Sequence, residues 1–252
     1  MAPPTHNALL RFKIRLTKWI SKRAPAWLVY RILVRTSTIP DQAIFQEAFR
    51  IADPTKTALD IGANRGIVSY YIARRFAKVH SFEPNADLAS FLKKVLPSNC
   101  TLHHCALSDT PGEHELSVVL ESGIPIHGKG RILETSGSPE AYAIQKIKLE
   151  TLDDQRIDNI GFIKIDVEGH EDKAIQGGLE TLRANKPVLV IEIEKRHTGK
   201  SPMETITRLE ALGYDAFFFE NGTKRPVSAF EDRMQDPDYP LYINDFLFVP
   251  KA

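Results

Sequence analysis

From Thr57 onward, short apolar runs rich in β-branched and aromatic residues alternate with stretches whose apolar positions recur every three or four residues. The first pattern predicts strands and the second predicts amphipathic helices. Strands are predicted over Thr57–Ile61, Lys78–Phe82, Thr101–Leu107, Phe162–Val167, Val188–Ile193, Ala216–Glu220 and Asp245–Val249. Helices are predicted over Ile67–Phe76, Ala86–Leu96, His170–Ala184 and Pro202–Leu212. The last opens with Ser201-Pro202-Met203-Glu204, a capping box with proline at the first helical position, and stops at Gly213. Strands this apolar, separated by helices, imply a mostly parallel sheet covered on both faces. No clear helix separates the last two strands, so that pair is expected to be antiparallel. The rhythm breaks at residues 121–140, where Gly123, Pro125, Gly128, Gly130, Gly137 and Pro139 sit among serines. Predicted strands His114–Leu120 and Ile144–Leu149 flank this excursion, which reads as a lid or a disordered insertion.

Residues 1–40 follow another pattern. Leu9, Phe12, Leu16, Trp19 and Ile20 recur at helical spacing, with Arg11, Arg15, Lys18 and Lys22 on a second stripe. Pro25 should break that helix before a short one around Trp27 to Val34, and Asp41 reads as the cap of a helix running to about Ala52. Charge sharpens the division. Of 33 Lys/Arg and 32 Asp/Glu, eight cations and no anion fall in residues 1–40, so residues 41–252 are net negative by seven. A basic arm on a mildly acidic body fits either an interfacial helix on anionic lipid or a helix pair packed on the body or a partner. Apolar content of 42% and charged content of 26% exclude extended disorder and coiled coil. Two cysteines, no cleavable-looking leader and no span-length apolar run point to a cytoplasmic protein, with peripheral contact at the inner membrane face left open. Nucleic acid is not expected, because the body is acidic and the arm lacks a groove-reading motif.

Three successive strand ends carry acidic residues. The first strand runs into Asp60-Ile61-Gly62-Ala63-Asn64-Arg65-Gly66 before a helix, a glycine turn that lets a ligand touch backbone N–H groups. The spacing is G-x-x-x-G, not the G-x-G-x-x-G of pyrophosphate-binding sheets. A carboxylate at Asp60 would suit a cationic amino-acid group and repel a pyrophosphate, which favours S-adenosylmethionine over a dinucleotide. Glu83 lies 21 residues beyond Gly62 at the tip of the next strand, where an acidic side chain can grip ribose hydroxyls or cap the helix near Asn85. Ser108-Asp109 then follows the third strand at the same edge, placed for an adenine amino group.

With these stand two further blocks, Lys164-Ile165-Asp166-Val167-Glu168-Gly169-His170-Glu171 and Asn244-Asp245-Phe246-Leu247-Phe248-Val249-Pro250. Together with Leu59–Gly66, Phe82-Glu83-Pro84 and Ala106–Asp109 they resemble the FkbM family of S-adenosylmethionine-dependent methyltransferases, over about residues 55–250. The resemblance implies a class I methyltransferase (Rossmann-like) α/β sheet of seven strands with the last antiparallel, and O-methylation of a hydroxyl, often on a sugar. It implies that Asp60, Gly62, Asn64 and Gly66 hold the methionine end of the cofactor, Glu83 the ribose, and Ser108 and Asp109 the adenine. Gly-Ile-Pro-Ile-His-Gly-Lys-Gly after Ser122 departs from the family's usual Asn/Ser-rich stretch, and the arm at 1–40 lies outside the match.

The Lys164–Glu171 block has its own logic. Charges inside a doubly covered strand are costly unless paired, so a Lys164–Glu192 pair across adjacent strands is expected. The same residues also permit a functional reading, in which Asp166, Glu168, His170, Glu192 and Glu194 gather at the carboxyl edge of the fourth and fifth strands. A hydroxyl attacking a sulfonium methyl needs alignment and a base, and Asp166, His170 and Glu192 are the candidates. Lys164, Glu168 and Asn244, with His127 and its neighbours Lys129 and Arg131 in the lid, are candidate acceptor contacts. The acidic group with Asn244 suggests a divalent metal, which is not favoured, and Cys100-x-x-His103-His104-Cys105 reads as a chance cluster in a strand. Rival readings are an NAD(P)-dependent oxidoreductase, or a non-catalytic membrane-associated adaptor using the arm. Oligomeric state stays open.

Overall fold

The computed structural model describes residues 24–39, 42–121, 124–132 and 142–251. The expected helix over Leu9–Ile20, the Asp41 cap and the excursion at 122–123 and 133–141 lie outside the described residues. Backbone contacts divide the chain into two compact units, one ending at Ser37 and one beginning at Thr38. In the first, α1 (Ala26–Arg35) follows Pro25, whose fixed φ of −56° suits the position before a helix. Tyr30 and Val34 are buried on one side of α1, while Trp27, Leu28 and Ile32 are exposed.

The second unit is built on an eight-stranded sheet. Its strands are β1 (Thr57–Ile61), β2 (Lys78–Phe82), β3 (Cys100–His103), β8 (Ile160–Ile165), β9 (Val188–Glu192), β10 (Tyr214–Glu220), β11 (Thr223–Pro226) and β12 (Asp245–Pro250). They lie in the order β11-β10-β12-β9-β8-β1-β2-β3. β1 pairs in parallel with β2 and β8, and β8 in parallel with β9. β12 runs antiparallel to both β9 and β10, as expected for the last pair. The sheet has eight strands rather than seven because β10 turns back through Asn221-Gly222, both at positive φ (51° and 76°), into the edge strand β11. Asparagine-glycine is the preferred two-residue hairpin loop, since both positions need the left-handed region.

Helices cover both faces. α2 (Ala43–Ile51) and α3 (Ile67–Ala73) lie over one, where Phe45, Ala48, Ala58, Ile72, Phe162 and Leu247 form a core. Phe49, Phe76 and Phe162 meet there with ring centroids 5.4–6.2 Å apart. α5 (Glu171–Gln176), α6 (Leu179–Asn185) and α8 (Pro202–Ala211) contribute Ala174, Ile175, Leu182, Ile206 and Leu209 to the opposite core, with Leu59, Ile61, Ile163, Ile191, Phe246 and Phe248. Ala58 on one side and Leu59 on the other show the period of two along β1.

Two predicted elements are divided. The run Thr101–Leu107 splits into β3 and β4 (Ala106–Leu107), and β4 leaves for a second sheet ordered β4-β7-β5-β6. The helix predicted over His170–Ala184 breaks at Gly177-Gly178, and position 177 must be glycine, since a Cβ there would stand 1.9 Å from the carbonyl oxygen of Ser108. In the second sheet, β5 (Gly112–Glu121) pairs antiparallel with β7 (Tyr142–Glu150) and with β6 (Ile124–Ile132). Residues 124–132 are thus a strand, which corrects the expectation of an irregular excursion over that stretch. α4 (Ala86–Val95) follows β2, and a short α7 (Lys195–Thr198) follows β9.

Candidate active site

The carboxyl ends of β1, β2, β8 and β9 form one edge, and the chain leaves each end through a tight turn. After β1, Gly62, Asn64 and Gly66 all take positive φ (83°, 50° and 74°), and Gly66 starts α3. The N–H groups of Gly62 and Ala63 both donate to the carbonyl of Phe82, at 3.0 and 2.9 Å. The next, that of Asn64, donates to Glu83 Oε2 at 2.7 Å. Glu83 Oε1 accepts from the Asn85 N–H at 2.8 Å, while Asn85 caps α4 through Oδ1. Glu83 is therefore the pin between the β1 and β2 turns, and its burial raises its pKa to about 7.

After β8 the chain makes a second carboxylate-pinned turn. Glu168 and Gly169 take positive φ (54° and 101°), and Glu171 Oε1 accepts from the N–H groups of Val167 and Gly169 at 3.0 and 3.1 Å. Burial pushes the Glu171 carboxyl up. The two turns touch, since a Cβ on Gly62 would meet the Asp166 carbonyl oxygen at 1.9 Å. Between and below them lies an ion network. Lys164 Nζ reaches Asp166 Oδ2 at 2.9 Å and Asp60 Oδ1 at 3.9 Å. Burial opposes the Lys164 charge, but Asp166 and Asp60 more than offset it and hold the ammonium protonated. The expected Lys164–Glu192 pair is not formed as a contact: register places Lys164 beside Asp60 on β1 and Val190 on β9, and Asp166 is nearer.

A cleft opens along this edge, walled by Gly62, Asn64, Glu83, Pro84, Leu107, Leu116, Asp166, Glu168 and His170. It brings together Gly62, Asn64, Glu83, Asp166, Glu168 and His170 from the residues singled out in the sequence. Asp60 is not among them. Its side chain is fully buried, with Oδ2 accepting from Ser69 Oγ at 2.5 Å, so it braces the turn from beneath instead of facing a ligand. Lys164 is likewise buried and bound, which removes it from acceptor contact. Ser108 Oγ donates to Asp109 Oδ1 and shares a hydrogen bond with His170 Nε2, both at 2.9 Å. His170 is buried in that chain and lines the cleft.

Beyond Asp166 the edge continues as carboxylates. Glu192 Oε1 accepts from Asn244 Nδ2 at 2.7 Å, and Glu194 takes Arg196 at 2.5 Å and the Tyr242 hydroxyl at 2.7 Å. Burial and the neighbouring Asp166 raise the Glu192 carboxyl strongly. Asp245, register partner of Glu192, is raised to about 6 by burial and by Asp166. Glu168 Oε2 lies 3.3 Å from His197 Nε2, and burial with the nearby Asp166 lifts Glu168 to about 7. His197 and the Glu171 clamp were missed in the sequence. The pairing of Glu168 with His197 joins the β8 turn to α7 and leaves no local signal. Among the described residues no group of three or more His, Cys, Asp or Glu has the arrangement of a metal site. His103 instead stacks on Phe82 at 4.4 Å and shares a 2.8 Å hydrogen bond with His80, and both cysteines are free thiols. His127, with Lys129 and Arg131, falls on β6, and its side chain lies outside what the structure describes.

The family model described as the methyltransferase FkbM domain matches residues 60–216. Among solved structures, an FkbM methyltransferase from Methylobacillus flagellatus is similar at 16% identity with a TM-score of 0.51, covering 92% of this chain and 60% of that one. The chain thus spans about three fifths of that relative's length. A TehB-like methyltransferase from Corynebacterium glutamicum matches at 13% identity and a TM-score of 0.46, covering 94% and 99%. A Streptococcus mutans protein described as a candidate methyltransferase, in complex with S-adenosylhomocysteine, matches at 9% identity and a TM-score of 0.49, covering 86% and 99%. No curated protein matches.

Proposed function

The chain belongs to the FkbM methyltransferase family, and on that premise we propose that it transfers the methyl group of S-adenosylmethionine to a hydroxyl of a sugar or glycoconjugate. The observation that carries this reading is the cleft between the Gly62–Gly66 turn and the Asp166–His170 loop, which joins donor-side and acceptor-side groups in one space. Its residues fit an adenosyl amino acid. Pro84, Leu107 and Leu116 offer apolar walls for a flat base. Each Glu83 oxygen accepts one backbone N–H and keeps a second lone pair for a ribose hydroxyl.

When bound, S-adenosylmethionine supplies a methyl carbon on a sulfonium leaving group. The protein's part is to hold an oxygen in line behind that carbon and to keep water out. Asp166, fixed by Lys164 at the lip of β8, orients the acceptor hydroxyl. Glu168, raised to about 7, accepts its proton as the new bond forms, with His197 alongside. Calorimetry with S-adenosylhomocysteine and with NADH tests the cofactor, and binding of NADH alone would turn the reading to an oxidoreductase. Tritiated S-adenosylmethionine, incubated with fractionated glycans, lipids and small metabolites, then tests the acceptor class. Label in the glycan fraction is expected.

A second, separate proposal concerns residues 1–40. In α1 the exposed Trp27, Leu28 and Ile32 stand with exposed Arg31 and Arg35, the mixture that favours contact with an anionic bilayer surface. No described helix is long and apolar enough to cross a membrane.

A further inference from the structure

Glu168, which lines the cleft, is held differently from the carboxylates around it. Glu83 and Glu171 accept backbone N–H groups and so shape the turns they sit in. Glu168 accepts none among the described residues; instead His197 Nε2 lies 3.3 Å from its Oε2. We propose that His197 is a positioning residue for the methyl transfer: it donates Nε2–H to Glu168 Oε2 from behind and so leaves Oε1 to take the acceptor's proton. The proposal rests on the reading above, in which Glu168 is the base, and adds how that base is oriented.

Both partners are fixed from the backbone outward. Glu168 takes φ 54°, a left-handed conformation that a residue with a side chain adopts only where its surroundings impose it. Glu171 imposes it by gripping the N–H groups on either side, those of Val167 and Gly169. Opposite, the buried amide of Gln235 fixes α7. Its Oε1 accepts from the Lys195 N–H at 2.7 Å, and its Nε2 donates to the carbonyls of Ile193 and Ile243 at 2.6 and 2.9 Å. Gly199, at φ 72°, closes α7 through its N–H bond to the Lys195 carbonyl, so His197 stands on an element anchored at both ends. The β8 turn and α7 meet directly, since a Cβ on Gly169 would stand 2.9 Å from the His197 Cβ. Glycine at 169 thus lets the imidazole come within hydrogen-bonding distance of Glu168.

The charges around Glu168 give such a donor its purpose. Asp166 on the same turn, Glu171 at the start of α5 and Glu194 before α7 all oppose a charge on Glu168, and Arg196 favours it. Arg196 is itself held by Glu194. An N–H aimed at Oε2 stabilises the carboxylate against these acidic neighbours. Exposure divides the roles. The Glu168 side chain is 30% exposed and reachable from the cleft, whereas that of His197, at 12%, is shielded and acts through Glu168. A neutral imidazole with its proton on Nε2 is sufficient as the donor.

The test uses the full chain saturated with S-adenosylhomocysteine. Its first readout is NMR of carboxyl-labelled glutamate, with Glu168 assigned by the signal lost in Glu168→Gln. In the unsubstituted protein Glu168 should titrate near the value of about 7 that its burial sets. His197→Phe keeps a ring against Gly169 and removes the donor. It should move the midpoint above about 8, because losing a hydrogen bond to the charged form costs roughly ten-fold in ionisation. His197→Gln restores an N–H and should return the midpoint to near 7. The second readout is methyl transfer from tritiated S-adenosylmethionine to the glycan fraction. At pH 7 the rate should fall roughly ten-fold in His197→Phe and recover to within about three-fold in His197→Gln. A midpoint unmoved by His197→Phe, a rate that this variant leaves unchanged, or a midpoint moved equally by both variants overturns the assignment of His197. Titration of Glu168 near the ordinary 4.5 in the unsubstituted protein is a different result, because it removes Glu168 as the base and with it the chemistry on which the assignment rests.

Discussion

The α-carbon of Gly62 faces the carbonyl oxygen of Asp166 so closely that a methyl group on it would stand 1.9 Å from that oxygen. This contact locks the β1 turn to the β8 turn, and with them the donor side of the cleft to the side proposed for the acceptor. Gly62→Ala must separate the two turns and also force an alanine to φ near +83°. Overpacking of this kind costs about 1–3 kcal/mol, and the positive φ about 1 more. At roughly 2–4 °C per kcal/mol for a domain of this size, Tm should fall on the order of 5–15 °C. Binding of S-adenosylhomocysteine, read by calorimetry, should weaken at least ten-fold even at temperatures where the variant is folded. A variant with unchanged Tm and affinity would mean that the turns are not locked.

The buried charges beneath that contact can be taken apart in pairs. Lys164 lies between Asp60 and Asp166, and Asp60 has no exposed atom through which water could replace the ammonium. Removing one partner of such a pair costs about 3–5 kcal/mol, because a charge is left buried alone. Lys164→Met should therefore be strongly destabilising. Adding Asp60→Asn, which keeps an acceptor for Ser69, should recover at least about 1 kcal/mol of that loss in urea unfolding. Strict additivity of the two substitutions would show that Asp60 and Lys164 do not sense each other.

These relationships mark where the sequence stopped being informative. β1 and β2 begin and end where the predicted runs do, because Ala58, Leu59 and Ile61 in one and Val79 and Phe82 in the other are buried on the sheet's two faces. The acidic strand ends and glycine turns were visible as motifs for the same local reason. What the pattern could not say was which carboxylate faces the cleft. Asp60 reads as a ligand in one dimension, and only the register of β1 against β8 puts Lys164 beside it and seals it in. Lys164 was expected to seek Glu192, but its own strand offers Asp166 two residues on, within reach at 2.9 Å. The break at Gly177-Gly178 carried a local signal, two adjacent glycines, but the neighbour that requires glycine at 177, the Ser108 carbonyl, lies some seventy residues earlier. Asn221-Gly222 was a legible hairpin signal that went unread, and with it β11.

Deleting the exposed apolar edge of α1 tests the proposed membrane contact. With vesicles of mixed phosphatidylcholine and phosphatidylserine, the full chain should sediment with the lipid at low salt and be released as salt rises. Trp27→Ala with Ile32→Ser should reduce binding several-fold even at low salt, since apolar insertion and charge both contribute. Equal binding of that variant would leave only the cations, and no binding by the parent would remove the proposal.

Glu168 ties the chemistry to pH. It faces Asp166, Glu171 and Glu194 on the acidic side and Arg196 and His197 on the basic side. Burial, followed by Asp166, raises its pKa from 4.5 to about 7. A base must be unprotonated to work, so kcat/KM should climb as pH rises through about 7 and level off above it. The folding equilibrium should move the other way. The folded state holds the Glu168 proton that the unfolded state releases near 4.5, so this group's contribution to stability declines between about pH 4.5 and 7 and is constant above. Glu168→Gln removes both dependences at once: activity should drop by roughly 10²–10⁴-fold, the rise near pH 7 should vanish, and the variant should become relatively more stable above pH 7. Asp166→Asn should reduce activity and move the inflection to lower pH without abolishing it, because Asp166 orients the hydroxyl and its charge helps to raise Glu168, while Glu168 takes the proton. An inflection that persists in Glu168→Gln would assign the base elsewhere on this edge.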